Sequence, residues 1–374
     1  MNKIFLKEII EKPITGEWGK EGNDVKVLRT TNFSNNGSLK LESIIKRSIP
    51  KHKIEKKKLC KGDIIIEKSG GSPKQPVGRV VFFDIDGVYL CNNFTAVLRP
   101  KTKKTFPKYL HYLLFASHKF NVTEIFQNKT TGIINLQLSR YIEKLQIPLP
   151  PIETQKQIAQ ILDDAAALRD KTQQLLNEYD QLAQSIFLDM FGDHNKYFKD
   201  FLGNNIKLLN SKRIPVKKSD RINMNGEYPY YGASGIIDYV DDFLFNEETL
   251  LIGEDGANLI SRSTPIAFRA KGKYWVNNHA HVISQKSSLN IIYLEYFINS
   301  INLETYITGS AQPKLNSSNL KKVELPIPDI KLQNQFAKKI DLIEQQKDLA
   351  KQELQESEDL FQALLQKAFK GELV

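Results

Sequence analysis

Along the chain, apolar and polar positions fall into two passages of short apolar runs, each followed by one long helical stripe. The first passage holds Asp63-Ile64-Ile65-Ile66, Gly78-Arg79-Val80-Val81-Phe82-Phe83 and Ala96-Val97-Leu98; the second holds Thr249-Leu250-Leu251-Ile252 and His281-Val282-Ile283. These runs are short, rich in branched and aromatic residues and mostly flanked by Gly, Asp or Asn, a pattern that predicts strands. A short helix is predicted near 107–115 and again near 291–298. Each passage then reaches a Pro-x-Pro connector, Pro148/Pro150 and Pro326/Pro328. Prolines at that spacing favour an extended chain and fix where the next helix begins.

After each connector the apolar period changes to steps of 3 and 4. In 152–191 the stripe runs through Ile158, Ile161, Leu162, Ala165, Leu168, Leu175, Leu176, Tyr179, Leu182, Ile186 and Met190. In 330–369 it runs through Phe336, Ile340, Ile343, Ala350, Leu354, Phe361, Leu364 and Ala368. Neither stretch contains Pro or Gly, and Gly192 and Gly371 follow as stop signals. A helix of about 40 residues is a rod of roughly 60 Å, and one with a single narrow apolar stripe needs a partner helix. An antiparallel pairing of the two stripes is therefore expected, with two helices packed separately on their own domains as the plainer alternative.

The passages are copies of one another. Leu145-Gln-Ile-Pro148-Leu-Pro150-Pro151-Ile152-Glu-Thr-Gln155-Lys-Gln157-Ile158-Ala159 matches Val323-Glu-Leu-Pro326-Ile-Pro328-Asp329-Ile330-Lys-Leu-Gln333-Asn-Gln335-Phe336-Ala337 at an offset of 178 residues, without a gap through Phe191/Phe369. Upstream, Tyr89 to Leu98 matches Tyr274 to Ile283, and Tyr109-Leu110-His111-Tyr112 matches Tyr293-Leu294-Glu295-Tyr296, at offsets of 185 and 184. A period near 180 is far too long for a solenoid. It describes a duplicated unit of mixed domain plus long helix, with boundaries at 1–150, 151–192, 193–328 and 329–374.

Charge sharpens this picture. The formal net charge of +10 resolves into +14 for 1–150, −5 for 151–195, +3 for 196–328 and −2 for 329–374. The mixed segments are basic and the helical ones acidic, so a polyanion is attracted to the former; a merely basic soluble protein remains the alternative. No segment has the roughly 20 apolar residues of a membrane span, and charges recur too early for a secretory leader. Two isolated cysteines, Cys60 and Cys91, give neither a disulfide framework nor a metal knuckle. A cytoplasmic, metal-free protein is expected.

The duplicated connector with its following helices resembles the specificity subunit of type I restriction–modification systems, over nearly the whole chain. Ala368-Phe369-Lys370-Gly371-Glu372-Leu373, Lys61-Gly62-Asp63-Ile64-Ile65 and Tyr228-Pro229-Tyr230-Tyr231-Gly232-Ala233-Ser234-Gly235 are similar to that family as well. The resemblance implies an α+β fold: two mixed α/β target-recognition domains separated by an antiparallel pair of long helices, a coiled coil. It implies that each domain grips half of a bipartite double-stranded DNA site and that the helix pair sets the gap. The helices would also dock two methyltransferase (modification) subunits, joined by restriction/translocase subunits, and Gln155, Ile158, Gln333 and Phe336 are the candidate partner contacts. S-adenosylmethionine, ATP and magnesium are then expected on those partners and no cofactor on this chain. One departure is that Gly309-Ser310-Ala311-Gln312 in the second copy is replaced by Thr131-Gly132-Ile133-Ile134 in the first. Another is Asp329, which stands where the first copy has Pro151.

Catalytic motifs are not found. There is no GxxxxGK[ST], no GxGxxG after a strand and no Asn/Asp-Pro-Pro-aromatic stretch. Gly253-Glu254-Asp255-Gly256 reads as a turn. Glu55-Lys56-Lys57 sits in a lysine run best read as solvated or phosphate-contacting. His279-x-His281 would lie on one face of a strand, but lacks a clear third metal ligand.

Groove reading needs side chains with paired donors and acceptors, Arg or Lys for guanine and Asn or Gln for adenine, and loops at strand ends are their natural seat. In the first copy these are Lys68, Ser69, Gly70, Lys74 and Gln75 after the strand at 63–66, then Arg29, Thr30 and Asn32, and then Lys129 and Thr130 before the connector. In the second copy Tyr230, Tyr231, Ser234, Asn258, Arg262, Ser310, Gln312 and Lys314 occupy comparable places. Ordinary solvated turns are the alternative for each. Asn92/Asn93 and Asn277/Asn278 recur in both copies. Because domains that read different sequences share structure rather than readers, these pairs are expected to be structural turns. Two other readings stay open: a stand-alone DNA-binding scaffold of the same architecture, and a coiled-coil adaptor for acidic proteins.

Overall fold

The computed structural model describes residues 3–72, 74–128, 133–309 and 311–374. The chain forms two compact units: residues 1–173 with 352–374, and residues 174–351. Each unit thus takes one mixed domain, one half of the first long helix (Ile152–Phe191) and one half of the second (Ile330–Lys370).

In the first unit a four-stranded sheet has the order Ile14–Thr15, Thr95–Leu98, Asp63–Glu67, Val80–Phe83. Its central strand is buried at every position, as a strand covered on both faces must be. One face is covered by the helix Pro107–Lys119, whose Tyr109, Leu110, Leu113 and Leu114 enter the core with Ile64, Ile66, Ala96 and Leu98. The other face carries Leu28, Phe33, Ile65, Val81 and Val97. A second sheet joins Lys20–Leu28 to Ile45–Ser48 in antiparallel register and to Tyr89–Cys91 in parallel. A third, small sheet joins Gln127–Asn128, Ile134–Leu136 and Ser69–Gly71.

The second unit repeats the plan. Its sheet runs Ile206–Leu208, Ala280–Gln285, Thr249–Gly253, Ala267–Ala270, and a parallel pair Tyr228–Gly232 with Lys273–Val276 answers the one in the first unit. The covering helix is Ile291–Ser300. Duplicated residues hold duplicated joints. The Tyr109 hydroxyl donates to the Pro148 carbonyl at 2.9 Å, and that of Tyr293 to the Pro326 carbonyl at 2.8 Å. Each connector is the return strand of an antiparallel pair, Gln146–Pro148 with Lys3–Phe5 and Glu324–Ile327 with Phe198–Phe201.

The long helices pair within each unit, early residues of one against late residues of the other, and so run antiparallel. In the first unit Ile158, Ala159, Leu162 and Ala165 share a core with Phe361, Leu365 and Ala368. In the second, Ala183, Phe187 and Phe191 share one with Phe336, Ala337, Ile340 and Ile343, and the Phe187 and Phe336 rings lie 5.6 Å apart. Both cores include the covering helix of the unit, so the helices pack on each other and on the domain together. The buried seam departs from the apolar count in the first helix. Leu168 and Leu182 are exposed, while Arg169 and Thr172 lie inside. Arg169 enters because its guanidinium stacks 4.9 Å over Phe361 and reaches Glu358 at 3.5 Å, so the long side chain buries its stem and keeps its charge paired.

Candidate nucleic-acid interface

At one end of the first unit's main sheet, the strand Asp63–Glu67 stops at a buried carboxylate. Arg79 holds Glu67 with two nitrogens, at 2.8 and 3.1 Å, and the second of them also donates to the Thr30 carbonyl at 3.4 Å. The chain next runs past Phe94, whose carbonyl accepts from the Lys68 amide at 2.9 Å and the Ser69 amide at 3.2 Å. Ser69–Gly71 then pairs with Ile134–Leu136, and the Ser69 hydroxyl bonds the Asn135 side chain. Gly70 takes φ +96°, a conformation a side chain resists. The segment ends in a tight turn where the Ser72 and Gln75 backbones bond each other at 2.9 Å in both directions. This end of the unit therefore gathers residues 29–32, 68–72, 74–75, 92–94, 127–128 and 133–135.

Lys74 and Gln75 are exposed on that turn, Gly70 is exposed, and Lys68 and Ser69 are half-buried. Lys129 and Thr130 lie outside the described residues. Asn32 is a correction to the sequence reading. It is buried, and its amide nitrogen donates to the carbonyls of Lys40 at 3.1 Å and Glu42 at 3.4 Å while its oxygen accepts from the Arg29 amide at 2.9 Å. A side chain so occupied shapes the loop and presents nothing to a groove. Thr30 contributes its carbonyl to Arg79, and Arg29 reaches the Ser43 carbonyl at 3.3 Å. Exposed Phe94, with Asn128 and Asn135 on the small sheet, joins the same surface.

The second unit builds its end differently from equivalent parts. Glu254 follows the central strand and is gripped by Arg213 at 2.8 Å and Lys314 at 3.3 Å. Burial works against the charge of Glu254, but the neighbouring cationic groups, Arg213 first, outweigh it and hold its carboxyl below the ordinary range. The Glu254 amide donates to the His279 carbonyl and the Leu315 amide to the Glu254 carbonyl, both at 2.8 Å. Gly256, at φ +107° the counterpart of Gly70, donates to the Pro313 carbonyl at 3.0 Å. The Ala233 carbonyl lies so close to Gly253 that a Cβ there would meet it at 2.8 Å. Residues 232–235, 253–258, 277–280, 308–309 and 311–314 thereby converge.

Ser234, Gln312 and Lys314 are exposed on this surface, and Ser310 lies outside the described residues. Three other expected readers face inward. Tyr230 is buried, its hydroxyl accepting from the Val216 amide at 2.9 Å and its ring lying under Arg221 at 4.7 Å. Asn258 closes its own loop on Thr264, accepting from the amide and donating to the carbonyl, each at 3.0 Å. Arg262 spends its guanidinium on the carbonyls of Ile301 at 2.6 Å and Asn299 at 3.4 Å. Tyr231 is half-buried against Phe268 and Tyr274. Asp255 and His279, read from the sequence as a turn residue and half of a histidine pair, bring their side chains together at 2.9 Å on the surface. The expectation that His279 and His281 share a strand face is also corrected. His279 sits in the preceding turn, and His281 is fully buried with Nε2 on the Leu315 carbonyl at 2.7 Å. Asn92 and Asn277 are buried, where the Asn92 side-chain oxygen accepts from the Thr95 hydroxyl at 3.2 Å and that of Asn277 from the His279 amide at 2.8 Å.

The four expected partner contacts are likewise interior. The Gln155 oxygen accepts from the Phe106 amide at 2.8 Å and the Thr105 hydroxyl at 3.2 Å, and its nitrogen donates to the carbonyls of Pro150 at 2.8 Å and Lys104 at 3.3 Å. Gln333 repeats this with the Asn290 amide at 2.9 Å and the carbonyls of Pro328 at 2.8 Å and Ser288 at 3.3 Å. Ile158 and Phe336 are core residues. These residues pin each connector to its domain and leave no surface for docking. Their presence in both copies was the available signal.

Two like units thus carry unlike loops at corresponding ends. The model of the type I restriction modification DNA specificity domain matches residues 1–179 and 202–358. The chain belongs to this family. A type I restriction enzyme specificity subunit named from Haemophilus influenzae is 36% identical over 137 residues, 36% of this chain and 34% of that relative, so this match spans about a third of its length. One named from Methanocaldococcus jannaschii is 24% identical across 94% of this chain and 88% of its own. Among solved structures, the type I restriction-modification system S subunit from M. genitalium shares the fold, with a TM-score of 0.59 at 17% identity over 98% of this chain and 96% of that one. The α+β architecture with duplicated domains and long helices is that of the family. Among the described residues, no helix is long and apolar enough to cross a membrane and no group of three or more His, Cys, Asp or Glu is placed to hold a metal.

Proposed function

We propose that this chain is the DNA-reading subunit of a type I restriction–modification complex and contributes no chemistry of its own. The recognition domains, 1–150 and 193–328, each read one half of a split, asymmetric double-stranded site. The observation that carries this reading is the pairing of a main four-stranded sheet of the same order with different loop chemistry: Lys68, Lys74 and Gln75 on one end surface, Ser234, Asp255, His279, Gln312 and Lys314 on the other. The helices 151–192 and 329–374 set the gap between half-sites and dock two methyltransferase subunits, with restriction/translocase subunits joining them. S-adenosylmethionine, ATP and magnesium belong to those partners in the cytoplasm. Exposed leucines on the outer helix faces, Leu342 and Leu349 above all, supply the docking surface in place of the buried connector residues.

Selection from a random duplex pool by the assembled methyltransferase tests this. A two-part consensus is expected. Lys74→Ala with Gln75→Ala should relax one half by about 1–3 kcal/mol per lost base contact, and Gln312→Ala the other half. If both halves relax together in either variant, the assignment of one half to each unit fails.

A further inference from the structure

A cavity of about 530 Å³ opens in the first unit at the end of the sheet away from the candidate interface. It is lined by Glu11, Cys60, Lys61, Asp63, Arg99 and the turn 101–104, with Pro107 beside them. Asp63 and Glu67 begin and end the same strand, so the cavity lies about 13 Å along the sheet from the recognition loops. Arg99 is committed to Asp63 at 2.7 Å and Lys61 to Asp86 at 3.0 Å. Lys101, Lys103 and Lys104 have no carboxylate partner among the described residues. Lys101 reaches only the Glu8 carbonyl, at 3.4 Å. All three stand on one turn, closed by the Lys104 and Thr105 amides on the Lys101 carbonyl at 2.8 and 3.0 Å.

The duplication supplies an internal control. Lys104 and Ser288 are equivalent, because Gln155 and Gln333 donate to their carbonyls in the same joint. Where the first unit has Lys61, Arg99, Lys103 and Lys104, the second has Glu247, Ser284, Ser287 and Ser288. The joint therefore does not require Lys103 or Lys104, whereas Lys101 is matched by Lys286, which likewise reaches a backbone carbonyl, that of Asn204.

We propose that this cavity binds a run of linked phosphates, either free polyphosphate or the triphosphate of a nucleotide. Lysine ammonium groups act on phosphate as point charges, whereas planar carboxylate recognition favours a free arginine fork, and the one arginine here is already engaged. The volume falls within the range of small-ligand sites. The site is independent of the DNA-reading proposal.

Cys60 gives the test. It is exposed at the cavity wall, while Cys91 is buried, so maleimide labelling of the full chain reports on this cavity alone. Inorganic tripolyphosphate at sub-millimolar concentration should slow labelling at least about fivefold, saturably. Lys103→Ser with Lys104→Ser should abolish the effect, leaving melting temperature and target-duplex affinity unchanged. Lys196→Ser with Lys199→Ser should leave the protection intact. Protection by both tripolyphosphate and ATP identifies the phosphates as the recognised group, and protection by ATP alone identifies a nucleotide. Absence of protection by either, equal protection by sodium chloride at matched ionic strength, or equal protection by polyglutamate overturns the proposal. So does protection by the target duplex without protection by tripolyphosphate.

Discussion

At the scale of single residues, the side chains that most resemble readers of DNA turned out to divide by what the backbone around them needs. Asn32, Tyr230, Asn258 and Arg262 are polar and suited to reading, yet each satisfies backbone carbonyls or amides of this chain. Residue type and position could not separate these roles, because a loop that leaves regular structure loses backbone partners and recruits the same amides and guanidiniums to replace them. The recurrence of a residue in both copies separates them better. Asn92/Asn277 and Gln155/Gln333 recur and are all structural. Replacing Gln155 by Leu orphans the Phe106 amide and the Pro150 and Lys104 carbonyls. It should therefore cost about 1–3 kcal/mol for each group left buried without a partner, read as a lower midpoint in urea with half-site preference unchanged. A loss of half-site preference at unaltered stability would assign Gln155 to recognition instead. His111 makes a second residue-scale prediction. It is buried with neither ring nitrogen bonded, and burial, aided by nearby Lys108, pushes its pKa from 6.5 down to about 3. Below pH 6.5 the unfolded chain takes up a proton that the folded chain refuses. Stability should thus fall as pH drops from 6.5 towards 3, by up to about 1.4 kcal/mol per pH unit, and be indifferent to this group above 6.5. His111→Phe should flatten that limb of a urea-midpoint profile; an unchanged limb would show that His111 does not titrate this way.

At the scale of elements, the long helices, their connectors and the short covering helices were legible, since period, paired prolines and stop glycines report local geometry that tertiary contacts do not override. The strand Lys20–Leu28 was not, because its first five residues, Lys-Glu-Gly-Asn-Asp, are exposed and carry no apolar alternation. The helix seam was legible only in outline: an apolar count cannot see that Arg169, Thr172 and Ser357 lie inside. Phe361 lies in the first unit's core against Tyr112 and Phe115, at 6.2 and 6.3 Å between ring centroids. Phe361→Ala should destabilise that unit by about 3–5 kcal/mol, measured by hydrogen exchange in 107–119; unaltered exchange there would contradict the shared core. On the outer faces, Leu342→Glu with Leu349→Glu should weaken assembly with the methyltransferase subunits and spare the melting temperature. Normal assembly would place the docking surface elsewhere.

At the scale of the whole molecule, duplication and charge distribution were the most informative sequence features. They predicted two basic grips joined to acidic helices, and the family match covers both copies. What sequence could not provide is the pairing of loops from distant positions, such as 69–71 with 134–136 or 256 with 313, since such closures depend on sheet order and register. The basic first domain, with net charge +14 over 1–150, implies that affinity for duplex falls steeply with salt. Removing seven residues from each long helix should change the gap and keep both half-sites. The measurement that tests the account most directly is long-read mapping of adenine methylation in cells expressing this chain with its methyltransferase subunit. The account predicts one asymmetric motif in two parts, with a fixed unread gap, methylated on both strands only when the chain is present. A continuous motif, or methylation indifferent to the chain, would contradict it.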